Sequence, residues 1–219
     1  MRKKIKICTV LAESDFFSTS KIISKVAKDS DFFELRADYL SNLNENLIIE
    51  LRKLLSLKTI FTLKSKINGG KFDFEELKNI SLLQTAIDVG YEFIDLEINS
   101  PLIKKLDKKS SKYILSYHNF EKTPTFLELN KIISSARKKK ADLIKIATLV
   151  RNAEDLKTLT KLLIINKYND KMIVVGMGEE YKLSRIFFPF LGSFLTYVAS
   201  NNKIATGQFN LEEIKKYVS

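Results

Sequence analysis

The 219-residue chain has one cysteine, one histidine, no tryptophan, three prolines, seven glycines and only six arginines. One cysteine excludes an internal disulfide framework and any cysteine-rich zinc module. One histidine excludes a multi-histidine metal site. The longest apolar stretch, 186–199, contains Pro189 and Gly192. It falls short of the roughly 20 residues that span a bilayer. The apolar run 7–12 near the basic start is shorter and more broken than the core of about 7–15 residues in a signal peptide. No Gly/Ser-rich linker divides the chain. A cytoplasmic protein with no membrane segment and a single domain over residues 1–219 is expected.

The most prominent feature present is charge. There are 37 Lys+Arg against 26 Asp+Glu, a net charge of +11. Such a balance can mark a nucleic-acid or anionic-membrane partner. However, 31 of the 37 basic residues are lysine, and isoleucine and asparagine are also abundant. That pattern reads as a composition bias. A nucleic-acid surface more often clusters arginine with aromatics on one face. Solvated surface lysines are therefore expected, with no nucleic-acid partner. Hydrophobic residues at 45% with regular spacing exclude a disordered chain.

Short β-rich runs alternate with longer amphipathic ones. Strands are expected at 5–11, 31–36, 59–63, 91–98, 112–117, 142–147, 171–176 and 193–199. Helices are expected at 18–28, 42–56, 74–89, 101–106, 125–140, 153–168, 183–190 and 211–218. Eight strand–helix pairs imply a parallel sheet with right-handed crossovers. Eight repeats in one undivided domain favour a closed (β/α)8 TIM barrel near the lower size limit of about 200 residues.

In such a barrel the chemistry sits at the carboxyl ends of the strands. Those ends carry Glu34 and Arg36, Lys64, Asp95 and Glu97, His118, and Lys145; Arg185 and Gln208 follow strands 7 and 8. Glu34 and Arg36 are two apart and share a face. A histidine at this rim suits acid–base work, because imidazole titrates near neutrality. Lys145 lies within the apolar run Leu143-Ile144-Lys145-Ile146-Ala147, where an ammonium is costly. Desolvation and nearby cations would lower its pKa, and a neutral amine attacks a carbonyl to form an imine. Arg36 and Arg185 could hold an anionic substrate through a guanidinium fork. Gly176-Met177-Gly178 lacks dinucleotide-fingerprint spacing, Gly69-Gly70 reads as a turn, and no Walker-type loop is present.

Ordered along the chain are Glu34-Leu-Arg-Ala-Asp38, Phe61-Thr-Leu-Lys-Ser65 with Gly69-Gly70, Asp95-Leu-Glu97, and Ser116-Tyr-His-Asn-Phe120 with Thr123-Pro124. Asp142-Leu-Ile-Lys-Ile-Ala147, Gly176-Met-Gly178, Ser184-Arg185, Ser193-Phe-Leu-Thr-Tyr197 and Gly207-Gln208 follow. This set resembles the type I 3-dehydroquinate dehydratases, the Schiff-base enzymes of the shikimate pathway. The resemblance implies a (β/α)8 barrel, commonly a homodimer, with no metal or organic cofactor. It implies Lys145 as the imine-forming lysine and His118 as the general acid–base. Arg185 and Gln208 match carboxylate-binding positions. Glu34 and Arg36 match residues that bind hydroxyls and order the site, and Met177 matches a supporting position.

Three residues depart from the family pattern. Lys64, expected to bind substrate, stands where arginine is usual, keeping the charge but losing the fork. Asn68 stands where a glutamate that interacts with the catalytic histidine is usual. It could orient His118 by a hydrogen bond but not stabilise imidazolium by charge. Ile204 stands where serine is usual. Two other readings compete: another imine-forming barrel lyase such as a class I aldolase, and a weakened barrel that binds ligand without turnover.

Overall fold

The structure is a computed structural model and describes residues 5–73, 76–165, 171–201 and 203–218. Its elements run β1 (Ile7–Leu11), α1 (Phe16–Val26), β2 (Phe32–Arg36), α2 (Glu45–Leu54), β3 (Lys58–Thr62), α3 (Glu76–Asp88), β4 (Phe93–Glu97) and β5 (Lys112–Asn119). They continue α4 (Phe126–Lys138), β6 (Leu143–Leu149), α5 (Ala153–Ile164), β7 (Met172–Met177), α6 (Ser184–Phe190), β8 (Thr196–Ala199), β9 (Phe209–Asn210) and α7 (Leu211–Val218). The expected start of the third helix at Phe74 and the end of the helix at Tyr168 lie outside the described residues.

Local chemistry starts the helices. Asp15 accepts the Ser18 N–H at 2.8 Å, Asn44 the Leu47 N–H at 3.0 Å and Asn152 the Asp155 N–H at 2.9 Å. Thr125 and Glu128 form a reciprocal capping box at the start of α4. The expected helix at 101–106 is a 3-10 turn over Pro101–Lys104. Ser100 caps it, and its proline supplies no amide at the first helical position.

All paired neighbours are parallel, in the order β7-β6-β5-β4-β3-β2-β1-β8-β9. This is the expected (β/α)8 architecture with two differences. A ninth, two-residue strand pairs with β8, Val198 opposite Phe209. The ladder also does not close between β7 and β8 among the described residues. β8 starts at Thr196 rather than 193, because the Ser193 hydroxyl accepts the Val174 N–H at 3.1 Å and donates to the Leu195 carbonyl. A side chain does there what a neighbouring carbonyl would do in a ladder. One main-chain bond, Phe194 N–H to Met172 O at 2.6 Å, helps to join the seam.

Side chains of the curled sheet alternate between two apolar layers. Leu35, Phe61, Ile94, Leu115 and Ile144 face the helices. Phe32, Ile60, Phe93, Ile114 and Leu143 fill the interior toward the amino ends. Two residues further along the same strands, the inward positions become Glu34, Thr62, Asp95, Ser116 and Lys145, all buried. That single step creates a polar storey above an apolar floor. On β1 and β7 the same step leads from Cys8 to Val10 and from Ile173 to Val175, so those positions stay apolar. No helix among the described residues is long and apolar enough to cross a membrane.

Candidate active site

Register brings the polar storey together. Ser116 lies opposite Glu97 on one side and Lys145 on the other. His118 pairs with Ala147, so it stands two residues beyond the level of Lys145, about 6.6 Å along the strands. β5 runs to Asn119, which puts His118 within the strand rather than just past it. The resulting cleft, of about 120 Å³, is lined by Glu34, Arg36, Lys64, His118, Lys145 and Arg185 among others. Gln208, Met177, Asn68 and Ile204 line it as well, so every candidate residue reaches one site.

Lys145 is 7% exposed. Its Nζ donates to Asp95 Oδ2 at 3.1 Å, lies 3.7 Å from Glu34 Oε1 and sits 4.5 Å above the Tyr197 ring. Burial pushes its pKa down, but Asp95 and then Glu34 outweigh burial, and the net shift is upward. The expected lowered pKa is therefore corrected. Two carboxylates hold Lys145 as ammonium in the ligand-free site. Asp95 also takes the Ser116 hydroxyl at 2.9 Å and Lys64 at 3.0 Å. Although burial opposes it, the two lysines hold the Asp95 pKa far below the usual range.

His118 Nδ1 lies 2.8 Å from Glu97 Oε1 and 3.5 Å from Lys64 Nζ. The ring stacks on Phe120 with centroids 6.0 Å apart. Burial, then Lys64, push its pKa down to about 4 against the pull of Glu97. The imidazole is thus neutral near pH 7 and able to accept a proton. Asn68 donates to Ser65 Oγ at 3.1 Å, not to the ring. The expected orienting bond from Asn68 is therefore corrected, because its amide turns to Ser65 within its own turn. Gly69 in that turn has φ +78°, and a Cβ there would lie 2.6 Å from the Phe120 ring.

The two rim arginines differ. Arg36 forms a fork onto Asp38, with bonds of 2.8 and 2.7 Å. Its charge is matched before any substrate arrives. Arg185, in the first turn of α6, is 5% exposed and donates to the Thr206 carbonyl at 3.1 Å. Its Nε has no partner, and burial pushes its pKa down to about 10. Nearby, Gln208 takes the Ile204 N–H at 3.1 Å. A buried guanidinium with a free donor suits an incoming carboxylate.

Sequence reasoning put Asp95 and Glu97 on the rim but gave them no role, and it missed the place of Tyr197 under Lys145. Two lysines on inward positions of flanking strands imply a buried anion between them, and that signal would have found Asp95. Among the described residues, no group of three or more His, Cys, Asp or Glu is placed to hold a metal ion.

A family model described as Type I 3-dehydroquinase matches residues 7–219. This chain belongs to the type I 3-dehydroquinase family. The chain is 34% identical over 215 residues to a 3-dehydroquinate dehydratase of Coxiella burnetii (strain CbuK_Q154), covering 97% of this chain and 91% of that protein. It is 33% identical over 217 residues to the 3-dehydroquinate dehydratase of Methanocaldococcus jannaschii, covering 96% of each. The solved 3-dehydroquinate dehydratase of Geobacillus kaustophilus HTA426 shares the fold, with a TM-score of 0.87 at 21% identity, over 99% of this chain and 93% of that one. The Type I 3-dehydroquinase family consists of hydro-lyases, and its known chemistry runs through a Schiff base.

Proposed function

We infer that this chain dehydrates 3-dehydroquinate to 3-dehydroshikimate through an imine on Lys145. The observation that carries the reading is the buried Lys145 ammonium below a neutral His118, within one cleft that also holds an unmatched Arg185. Arg185 and Gln208 bind the substrate carboxylate. Glu34 and Arg36 face the hydroxyls. His118 takes a proton from Lys145, whose amine attacks the C3 ketone. After a proton shifts from nitrogen to oxygen in the carbinolamine, His118 returns its proton to that hydroxyl, which leaves as water and leaves an iminium. His118 takes the C2 proton, and the C–H electrons move into the iminium as an enamine. His118 then protonates the departing C1 hydroxyl, which leaves as water. Hydrolysis frees the product and Lys145. Electrophilic activation and proton transfer each contribute by lowering the charge that develops in the transition state.

Borohydride added with dehydroquinate tests this reading. A ligand-sized mass increase on Lys145 and the enone absorbance of product are expected, and absence of both sinks it. The whole of residues 1–219 acts as one catalytic domain, in the cytoplasm and as a homodimer. Exposed Leu183, Phe187 and Phe190 at α6 support the dimer. Light scattering should give twice the 25.2 kDa of one chain.

A further inference from the structure

Lys64 stands at the centre of an internal chain of charges. An ammonium has three donors, and three groups surround this one. They are Asp95 Oδ1 at 3.0 Å, Glu97 Oε1, and His118 Nδ1 at 3.5 Å. The other oxygen of Asp95 holds Lys145, and Glu97 holds His118. The nucleophile and the base are therefore tied to one another through Lys64.

Asp95 and Glu97 do not line the catalytic cleft. They line a second hollow behind it, which shares Lys64, Asn68 and His118 with the cleft. Groups outside the substrate space act through the groups that border it. We propose that Glu97 and Lys64 are positioning residues for His118: Glu97 accepts the Nδ1 proton, and Lys64 clamps Glu97, so that Nε2 keeps its lone pair for the cleft.

The valences support this assignment. An ionised carboxylate only accepts, so Nδ1 must donate to Glu97. A neutral ring then has its acceptor on Nε2. The pKa of Glu97 is lowered, because His118 and Lys64 outweigh the opposing effect of burial, so it stays ionised. The charged groups around the ring are Glu97 and Asp95 from β4, Lys64 from the end of β3 and Lys145 from β6. The chemistry also accounts for lysine at position 64. Its donors diverge toward two carboxylates on Asp95 and Glu97, whereas a planar guanidinium fork grips one carboxylate.

This role rests on the dehydratase reading for its kinetics but not for its spectroscopy. The chain has a single histidine, so 15N-histidine labelling reports one ring. Near neutral pH the native protein should show a neutral ring with the proton on Nδ1. Glu97→Gln, close in shape, should move the proton toward Nε2. Lys64→Met should raise the midpoint of ring titration. Glu97→Gln should lower kcat about 10²- to 10⁴-fold, with KM within about 3-fold, while borohydride still traps ligand on Lys145. A native ring protonated on Nε2, ring signals unchanged by Glu97→Gln, or a rise in KM alone would overturn the proposal. A native protein without turnover would defeat the dehydratase reading while leaving the tautomer measurement intact.

Discussion

The two arcs of the barrel mouth are built on opposite plans. From β2 to β6 the inward residues are charged or hydroxylated, and almost every charge has a partner: Arg36 with Asp38, Lys64 with Asp95 and Glu97, Lys145 with Asp95. From β7 through β8 to β1 the wall is Val175, Met177, Tyr197 and Val10, and the cation offered there is Arg185, with its Nε unpaired. Matched charges in a buried cluster hold geometry. An unmatched one is a place for a ligand. On the proposed mechanism the chemistry belongs to the crowded arc and the anchoring of the substrate anion to the sparse one.

The largest expected effect tests the crowded arc at its reactive end. Lys145→Met should abolish borohydride trapping and lower kcat on the order of 10⁵-fold or more, measured by product absorbance. Trapped mass on another lysine would break the comparison, because Lys64 would then be a nucleophile rather than a clamp.

Next is the cost of unmatching a charge. Arg36→Met leaves Asp38 buried without its cation and should destabilise the fold by about 3–5 kcal/mol in urea titration. Arg185→Met removes a buried cation whose Nε is unsatisfied, and should leave stability unchanged or raise it. Equal losses in the two variants would show that the arcs do not differ.

The third effect is one of pH. His118 titrates near 4 in the folded chain and near 6.5 unfolded. Between those values the unfolded chain binds a proton that the folded chain does not. The contribution of His118 is complete above about 6.5 and falls by about 3 kcal/mol as pH drops to 4. In His118→Asn that part of the slope should vanish in denaturation curves taken across the window.

The smallest effect belongs to the sparse arc in function. Arg185→Met should raise KM about 30-fold with a smaller change in kcat, because the carboxylate grip is shared by ground and transition states. A fall in kcat alone would assign Arg185 to the chemistry instead.

The alternation of elements was legible because each strand and helix carries its own period. The inward direction of Glu34, Arg36 and Lys145 was legible for the same reason. The partnerships were not. Asp95 on β4 joins Lys64, just past the neighbouring β3, and Lys145 on β6, one strand removed, and only register brings the three together. The pKa of Lys145 was misread because burial and cations were weighed without Asp95 and Glu34. Asn68 was assigned to His118 by its place in the motif, whereas a local turn gives its amide to Ser65. The strand at 193–199 began too early because β propensity does not show a serine hydroxyl replacing a carbonyl.

Among the described residues the strand ladder is continuous except between β7 and β8, where Ser193 and Phe194 supply single bonds instead. Lys145 is on β6, and Arg185 rides on α6, the helix that joins those two strands. On the proposed mechanism, a substrate bonded to Lys145 and held by Arg185 links β6 to the helix that spans that seam. Each turnover by that mechanism puts a temporary cross-link beside the seam. A trapped intermediate should then melt at a higher temperature than the free protein.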